Sequence, residues 1–263
     1  MRSAIAVLGL LASTSLASAA DLGGPSYDGS LKDGPALMAQ PSWTGFYIGA
    51  NAGYAWGSSD SFLPENLEKE AYVPPGGIRT DLNPDGWFGG GQIGFNFQHG
   101  SLVFGVEADW QGGDIEDSAT SRHTHTLQPG EPEFDVDNSM SIESFGTVRG
   151  RLGVVMGRVL PYVTGGFAWA KTDVDARLTY LVDTPVVFAG SDSATHTGWV
   201  VGGGVEIALD ENWSIKGEYL YYDLGEENYT ITYVGPWDGD TYSTDADLTM
   251  QTIRVGVNYK FNR

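Results

Sequence analysis

Hydrophobic and polar positions alternate strictly near the end of the chain, in the segment TIRVGVNYKF at residues 252–261. One face of an extended chain would carry Ile253, Val255, Val257, Tyr259 and Phe261, and the other Thr252, Arg254, Asn258 and Lys260. A repeat of two residues predicts a β-strand whose faces meet different surroundings. Whether the apolar face meets lipid, water or a core depends on the rest of the chain.

Seven earlier segments alternate in a similar way. The eight segments cover 43–57, 86–98, 101–111, 140–156, 159–171, 194–209, 212–223 and 247–261. Each is long enough for a tilted membrane-spanning strand, which needs about 9–11 residues. The chain is therefore predicted to be all-β.

The connections between these segments alternate in length. Three are two-residue turns, at 99–100, 157–158 and 210–211. The other four are long and polar, and they cover 58–85, 112–139, 172–193 and, counted with the flanking Asp223 and Asp247, 223–247. Short turns at one end and long loops at the other are typical of an outer-membrane barrel. We predict an eight-stranded antiparallel up-and-down transmembrane β-barrel with three short periplasmic turns and four long extracellular loops.

A soluble eight-stranded barrel that carries an apolar ligand is the alternative, because alternation alone does not say which face is inside. Three features favour the membrane barrel: the sparse, mixed charge of the polar faces, an aromatic end to the last strand, and tryptophans near segment ends, where lipid headgroups lie. These tryptophans are Trp43, Trp56, Trp87, Trp110, Trp169, Trp199 and Trp213. In a membrane barrel, Val255 and its neighbours on that face contact lipid, while Arg254 and Lys260 face a polar interior.

The first twenty residues are typical of a secretory signal peptide. Arg2 precedes an apolar run at residues 4–11, and small residues follow up to Ala17, Ser18 and Ala19, an A-x-A cleavage pattern. We predict a signal peptide over 1–20, a flexible periplasmic leader over 21–42 and the barrel domain over 43–261. The predicted destination is the outer membrane of a Gram-negative bacterium.

Three stretches carry a family resemblance: WTGFYIGANAGYAWG (43–57), RGRLGVVMGRVLPYVTGGFAWA (149–170) and the terminal TIRVGVNYKF. They resemble the opacity-type small outer-membrane immunogens of alpha-proteobacteria, which are porin-like barrels. The resemblance implies a monomeric, surface-exposed, antigenic barrel with a role in envelope integrity, adhesion or limited permeability. It also implies that Tyr259 and Phe261 form a signal for the outer-membrane assembly machinery, although Asn262 and Arg263 follow them here.

The net charge of −20 belongs entirely to the four long connections, where acidic residues exceed basic ones by that number. Acidic loops stay solvated, which is one interpretation of this excess. Carboxylates beside lipopolysaccharide phosphates would also favour bridging divalent cations, which is the other. Either excludes nucleic acid as a partner, because phosphate binding needs basic residues. A host or surface ligand at the loops is not identified by any motif.

Few residues are candidates for chemistry. His123 and His125 fall on one side of an extended segment and are compatible with a metal or haem ligand pair, or with a chance pattern. His99, with Ser101, is similar to the His-x-Ser of lipid A deacylases, but it lies in a predicted periplasmic turn. His196 has acids nearby in the sequence, and cysteine is absent. We expect no enzymatic activity and no cofactor.

The polar faces of the segments carry a set of charges predicted to lie inside the barrel: Glu107, Asp109, Glu143, Arg149, Arg151, Glu206, Lys216, Glu218 and Arg254. An eight-stranded barrel is narrow and largely filled by side chains, so these charges must pair or stay hydrated. Paired charges would crosslink the strands and close the barrel, whereas charges that change partners would gate a narrow path. A structural and surface-interaction role is the first expectation, and a small-pore porin for ions or small solutes is the alternative.

Overall fold

The computed structural model describes residues 42–63, 77–123, 134–181, 186–233 and 240–261. Nine strands lie in this part of the chain: β1 (Gly45–Leu63), β2 (Ile78–Leu82), β3 (Asp85–His99), β4 (Leu102–His123), β5 (Phe134–Val154), β6 (Val159–Tyr180), β7 (Val186–Ala208), β8 (Trp213–Tyr233) and β9 (Asp240–Lys260). The described residues contain no helix long and apolar enough to span a membrane. The predicted signal peptide and nearly all of the leader lie outside the described residues.

Eight of the nine strands close into an up-and-down barrel. The order is β1-β3-β4-β5-β6-β7-β8-β9, every pair is antiparallel, and β9 returns to β1. The short strand β2 pairs with β1 just beyond the end of β3. Asn83 and Pro84 separate β2 from β3, and proline has no N–H for the ladder. The all-β up-and-down prediction is confirmed, with β2 as an additional strand.

Short turns join the strands at one end of the barrel, where the sequence predicts them. Gly100 and Gly157 adopt left-handed φ values of 61° and 67°, which glycine reaches without strain. The third turn runs through residues 209–212. Its Asp210 carboxylate accepts hydrogen bonds from the backbone N–H groups of Asn212 and Trp213, at 2.8 and 2.7 Å.

The strands continue far beyond the predicted segments at the opposite end. The pairing of β4 with β5, for example, extends to His123 and Phe134. Much of each predicted extracellular loop is therefore strand, and those loop boundaries were wrong. Continued pairing satisfies backbone groups that would otherwise need other partners. The outward apolar positions end there because the outer face of a strand outside the membrane meets water instead of lipid.

The apolar side chains of the last segment, 252–261, face outward and Arg254 faces inward, as its alternating pattern predicts. Val255 is 68 % exposed on the outer face, whereas Arg254 is 1 % exposed inside. Lys260 lies at the mouth of the barrel, where its ammonium group donates to the Ser42 carbonyl. The expectation that Trp43 joins an aromatic girdle was wrong, because this side chain is buried inside the same mouth with the backbone N–H bonded to Gln98.

Beyond the membrane-spanning part, the wall separates into two four-stranded sheets. β7 pairs with β8 only up to Trp199 and Asp223, and β3 pairs with β4 only up to Asp85 and Glu116. Beyond these points, β4 to β7 remain paired with one another, and so do β8, β9, β1 and β2.

Candidate functional site

Charged side chains fill the middle of the barrel. The buried members are Glu107, Asp109, Arg149, Arg151, Glu206, Lys216, Glu218 and Arg254. We call these eight residues the interior charge network. Its four basic and four acidic groups make it formally neutral. They point inward because successive side chains of a strand point to opposite faces, and each of these residues lies on the inward, polar face of its strand.

Arg149 occupies the centre of the network and binds three carboxylates. Its Nη2 atom lies 2.6 Å from Glu107 Oε1 and 3.0 Å from Asp109 Oδ2. Its Nη1 atom donates to Glu218 Oε1 at 3.0 Å. Its Nε atom donates to the hydroxyl of Thr147 at 2.9 Å. Arg149 therefore connects β5 to β4 and, across the barrel, to β8.

Two further cations complete the centre. Lys216 Nζ donates to both carboxylate oxygens of Glu107, at 2.7 and 2.9 Å. Arg254 forms an ion pair with Glu218, and its Nη2 atom also donates to Asp109 at 3.0 Å. Charge-assisted bonds of this kind are stronger than neutral ones. They offset the large free-energy cost of burying these charges.

A second group extends the network towards the periplasmic mouth. Arg151 Nη2 donates to Glu206 Oε2 at 2.6 Å. The other oxygen of Glu206 accepts bonds from the Ser214 hydroxyl at 2.5 Å and the Asn258 amide at 2.9 Å. The guanidinium of Arg151 also lies 4.1 Å from the ring centroid of Tyr162, a cation–π contact.

Tyr47 connects the two groups. Its hydroxyl donates to Glu107 Oε2 at 2.7 Å and accepts from Arg151 Nη1 at 3.2 Å. Gly94 makes room for this side chain, because a Cβ atom there would lie 2.4 Å from the tyrosine hydroxyl. A close approach of this kind permits only glycine.

Glu143 was wrongly predicted to belong to the interior. It is exposed and pairs with Lys171 outside the barrel, at 2.5 Å. The cause is a β-bulge: the register of β5 with β6 shifts between Ile142 and Ser144. One extra residue moves the side chains on its extracellular side, which come earlier in the chain, to the opposite face, so Ile142 points inward instead of Glu143.

An apolar layer lies inside the barrel next to the charge network, on the extracellular side. Its buried members are Ala55, Leu82, Phe88, Ile115, Met140, Ile142, Phe145, Ala168, Ala170, Val200, Leu220, Tyr222, Leu224, Leu248 and Met250. The rings of Phe88 and Phe145 meet edge to face at 5.1 Å, and those of Phe145 and Tyr222 at 6.0 Å. The sequence reasoning assigned apolar residues to lipid and missed this layer. The sequence did contain an indication of it: Phe88 lies four residues from the polar Gln92 on β3, so the two side chains share the inward face.

The periplasmic mouth is also lined by apolar side chains. Trp43 packs there with Val103, Leu160 and Ala208. A cavity of about 20 Å³ remains beside them, bordered by Tyr47 and other residues. Apolar side chains thus lie at both ends of the charge network, and at the periplasmic end the cavity reaches Glu206.

The histidines are widely separated. His99 is exposed at the end of β3, beside a short turn. The side chains of His123 and His125 lie outside the described residues, so the proposed ligand pair is not tested. His196 is fully buried and its Nε2 atom lies 2.7 Å from the Tyr229 hydroxyl. Among the side chains that the structure describes, no cluster of three His, Cys, Asp or Glu residues is suited to a metal ion.

Aromatic side chains mark the two edges of the outer apolar band. Trp87, Trp110 and Trp199 are exposed at the extracellular edge. At the periplasmic edge, the ring of Tyr259 lies 5.2 Å from Phe261, edge to face. Such girdles flank the membrane-spanning band of outer-membrane barrels.

The closed antiparallel barrel, its apolar outer band and its filled interior define a transmembrane β-barrel of the outer-membrane type. The chain belongs to the outer membrane protein beta-barrel domain family, whose profile matches residues 4–261. It is 36 % identical over 222 residues to the 31 kDa outer-membrane immunogenic protein of Brucella melitensis, covering 84 % of each chain. It is 27 % identical over 222 residues to the 22 kDa outer membrane protein of Rhizobium leguminosarum, covering 84 % of this chain and 79 % of that one.

Among solved structures, the outer membrane protease OmpT of Escherichia coli is similar, with a TM-score of 0.48 and 7 % identity over 82 % of this chain and 97 % of that chain. Nothing about activity follows from that likeness. The predicted family resemblance and the predicted location are confirmed: the protein is an outer-membrane β-barrel of a Gram-negative cell.

Proposed function

We propose that this protein is a closed surface barrel that supports the envelope and presents its extracellular half to other molecules. One observation carries the proposal: a formally neutral charge network, in which every charged group has an ion-pair partner, fills the barrel, and an apolar layer covers it on the extracellular side. An ion crossing this interior would have to separate buried pairs and then enter an apolar constriction, which excludes water. A structural role requires no such rearrangement.

The acidic extracellular half is the proposed interaction surface. Four exposed carboxylates lie in one row across neighbouring strands: Asp81 opposite Asp60, Asp60 opposite Asp247, and Asp247 opposite Glu226. Like charges directly opposite one another are destabilising, and hard cations prefer oxygen ligands. The row lies four residues beyond Trp56, near the level expected for lipopolysaccharide phosphates. We therefore propose bridging divalent cations between these carboxylates and lipopolysaccharide.

Surface presentation agrees with the names of the Brucella relatives, which describe them as immunogenic. By analogy, we propose that the extracellular half of this chain is accessible to antibodies or to a host or surface ligand. Tyr259 and Phe261 are proposed as the signal read by the assembly machinery. A monomer is proposed because the membrane-spanning ring closes on itself through β1 and β9 and leaves no strand edge there.

We infer that the protein is not an enzyme. His196 is fully buried, which removes it from any substrate, and its neighbour is the buried hydroxyl of Tyr229. His99 lies at the periplasmic end, remote from lipid A of the outer leaflet. His196 therefore lacks the exposed nucleophile that hydrolysis requires.

Single-channel recording tests the proposal. The mature protein would be refolded in detergent, its folding verified by a heat-modifiable band, and its conductance measured in a planar bilayer. A closed barrel is expected to be silent, and Arg254→Ala should remain without stable openings. Stable, voltage-independent openings that change in Arg254→Ala would instead establish a small porin with a path along the charge network.

A further inference from the structure

A seam divides the barrel wall between β7 and β8. The two strands pair up to Trp199 and Asp223, and both continue further towards the extracellular end. The register of β8 with β9 shifts between Asp223 and Glu226, and Gly225 adopts a left-handed φ of 68°. A bulge of this kind bends its strand. Side chains, and not a continuous ladder, therefore hold the two strands together above Trp199.

A buried chain of three polar side chains crosses this seam. His196 on β7 and Tyr229 on β8 are both fully buried, and His196 Nε2 lies 2.7 Å from the Tyr229 hydroxyl. The same hydroxyl lies 2.6 Å from Thr172 Oγ1 on β6. A second link, from Thr230 N–H to the Asp192 carboxylate at 2.8 Å, lies nearer the surface.

This site lies outside the membrane. The lipid-facing band of β7 runs from Ile207 to Trp199, both exposed on the outer face. That length matches the span of about 9–11 residues for a tilted strand. His196 follows three residues further towards the extracellular end.

The hydrogen-bonding capacity of this site suits a neutral imidazole. Neutral His196 needs one partner for a donor nitrogen and one for an acceptor nitrogen, whereas the protonated ring has two donors. Nε2 is engaged with Tyr229, and Nδ1 makes no hydrogen bond of normal geometry within the described residues. A proton on both nitrogens would bury a positive charge, which costs more than leaving one nitrogen of a neutral ring without a well-formed hydrogen bond.

Several charged groups surround the ring. The negative charges of Glu227 on β8 and Asp247 on β9 interact electrostatically with His196. Those of Asp173 on β6 and Asp192 on β7 interact in the same way with Tyr229. The carboxylates favour a protonated ring, as do nearby backbone groups of Gly225 and Leu224. Burial outweighs these effects and lowers the pKa of His196 below its ordinary value.

We propose that His196 and Tyr229 form a proton-controlled latch: neutral His196 holds the extracellular parts of β7 and β8 together, and protonation releases them while the membrane-spanning barrel stays closed. Opening exposes the ring to water, where its positive charge is solvated. It also exposes the inner faces of the two sheets above the membrane.

The direction of the pH dependence follows from the lowered pKa. In the open seam, His196 titrates near its ordinary value of about 6.5. The closed seam binds the proton less well, so its stability is fully present above that pH and is lost as the pH falls towards the lowered pKa. As the pH falls, the ratio of open to closed seam should rise by up to about tenfold for each pH unit by which closure lowers the pKa of His196.

Hydrogen–deuterium exchange of the folded protein in lipid nanodiscs at pH 7.5 and 5.0 tests the latch. After correction for intrinsic rates, peptides covering 190–198 and 224–232 should exchange faster at pH 5.0, whereas peptides covering 200–207 should not change. His196→Gln should abolish this pH dependence. His99→Gln is the matched control, because it removes an exposed histidine at the other end, and it should retain the response.

Tyr229→Phe separates the latch from a general loss of packing. It keeps the ring but removes the hydroxyl, so the seam should already exchange faster at pH 7.5 while the membrane peptides stay protected. An unchanged response in His196→Gln would overturn the proposal and assign the effect to Glu227, Asp247 or Asp192. A His196 pKa at or above its ordinary value, measured by NMR titration, would also overturn it.

Discussion

Arg149 and Glu218 meet across the barrel, with Arg149 Nη1 3.0 Å from Glu218 Oε1, although their strands β5 and β8 are not neighbours. This contact spans the interior instead of linking adjacent strands. It makes the centre of the barrel a crosslink between opposite walls, and it closes the space that an ion path would need.

Removing one cation from this centre should destabilise the barrel strongly. Arg254→Leu would leave the buried carboxylates of Glu218 and Asp109 short of a partner, which costs about 3–5 kcal/mol. Urea unfolding in lipid vesicles measures the loss. Glu143→Gln is the control, because its exposed pair with Lys171 should contribute at most about 1 kcal/mol. Equal effects of the two substitutions would contradict a structural role of the network.

A charge on the lipid face should be costly only at membrane depth. Val255 lies in the middle of the outward band of β9, so Val255→Arg should lower the free energy of unfolding by about 2–4 kcal/mol. Thr230→Arg, at an exposed position outside the membrane, should change it by less than about 0.5 kcal/mol. A neutral result for Val255→Arg in the same folding titration would reverse the assignment of inside and outside.

Two glycines on β3 should respond differently to the same substitution. A Cβ at Gly94 would lie 2.4 Å from the Tyr47 ring, whereas one at Gly91 would meet only the Gly49 carbonyl, at 3.5 Å. Gly94→Ala should therefore destabilise the barrel by about 1–3 kcal/mol. Gly91→Ala should be neutral or slightly stabilising. Comparable losses for both, measured by urea unfolding, would argue against the close packing of Tyr47.

Divalent cations should stabilise the extracellular half in lipopolysaccharide-containing membranes. Neutralising the facing carboxylates of Asp60 and Asp247 relieves like-charge repulsion. Adding Ca²⁺ should raise the melting temperature of the wild type, and Asp60→Asn should reduce that increase. Asp175→Asn, an exposed acid outside the row, should leave it intact. An identical Ca²⁺ response in all three proteins would exclude the row as the cation site.

The all-β up-and-down fold and the short turns could be predicted because each depends on local pattern, and the family could be predicted from the resemblance of three stretches. The face of Glu143 could not, because a bulge after Ile142 inverts the alternation and nothing in the local sequence marks it. The position of Trp43 was missed for a similar reason, since the direction of the chain before β1 depends on contacts with Gln98 and Val103.

The sequence by itself determined the period-two strands, the alternation of short and long connections, and the outward apolar band, because pleated geometry converts sequence spacing directly into faces. Only the tertiary structure decided which inward charges pair, such as Arg149 with Glu218, and that Phe88 and Phe145 form an apolar layer beside them. It also decided the end of pairing at Trp199 and the contact of His196 with Tyr229. These contacts join residues far apart in the chain, and their partners depend on the closure and stagger of the barrel, which no local pattern encodes.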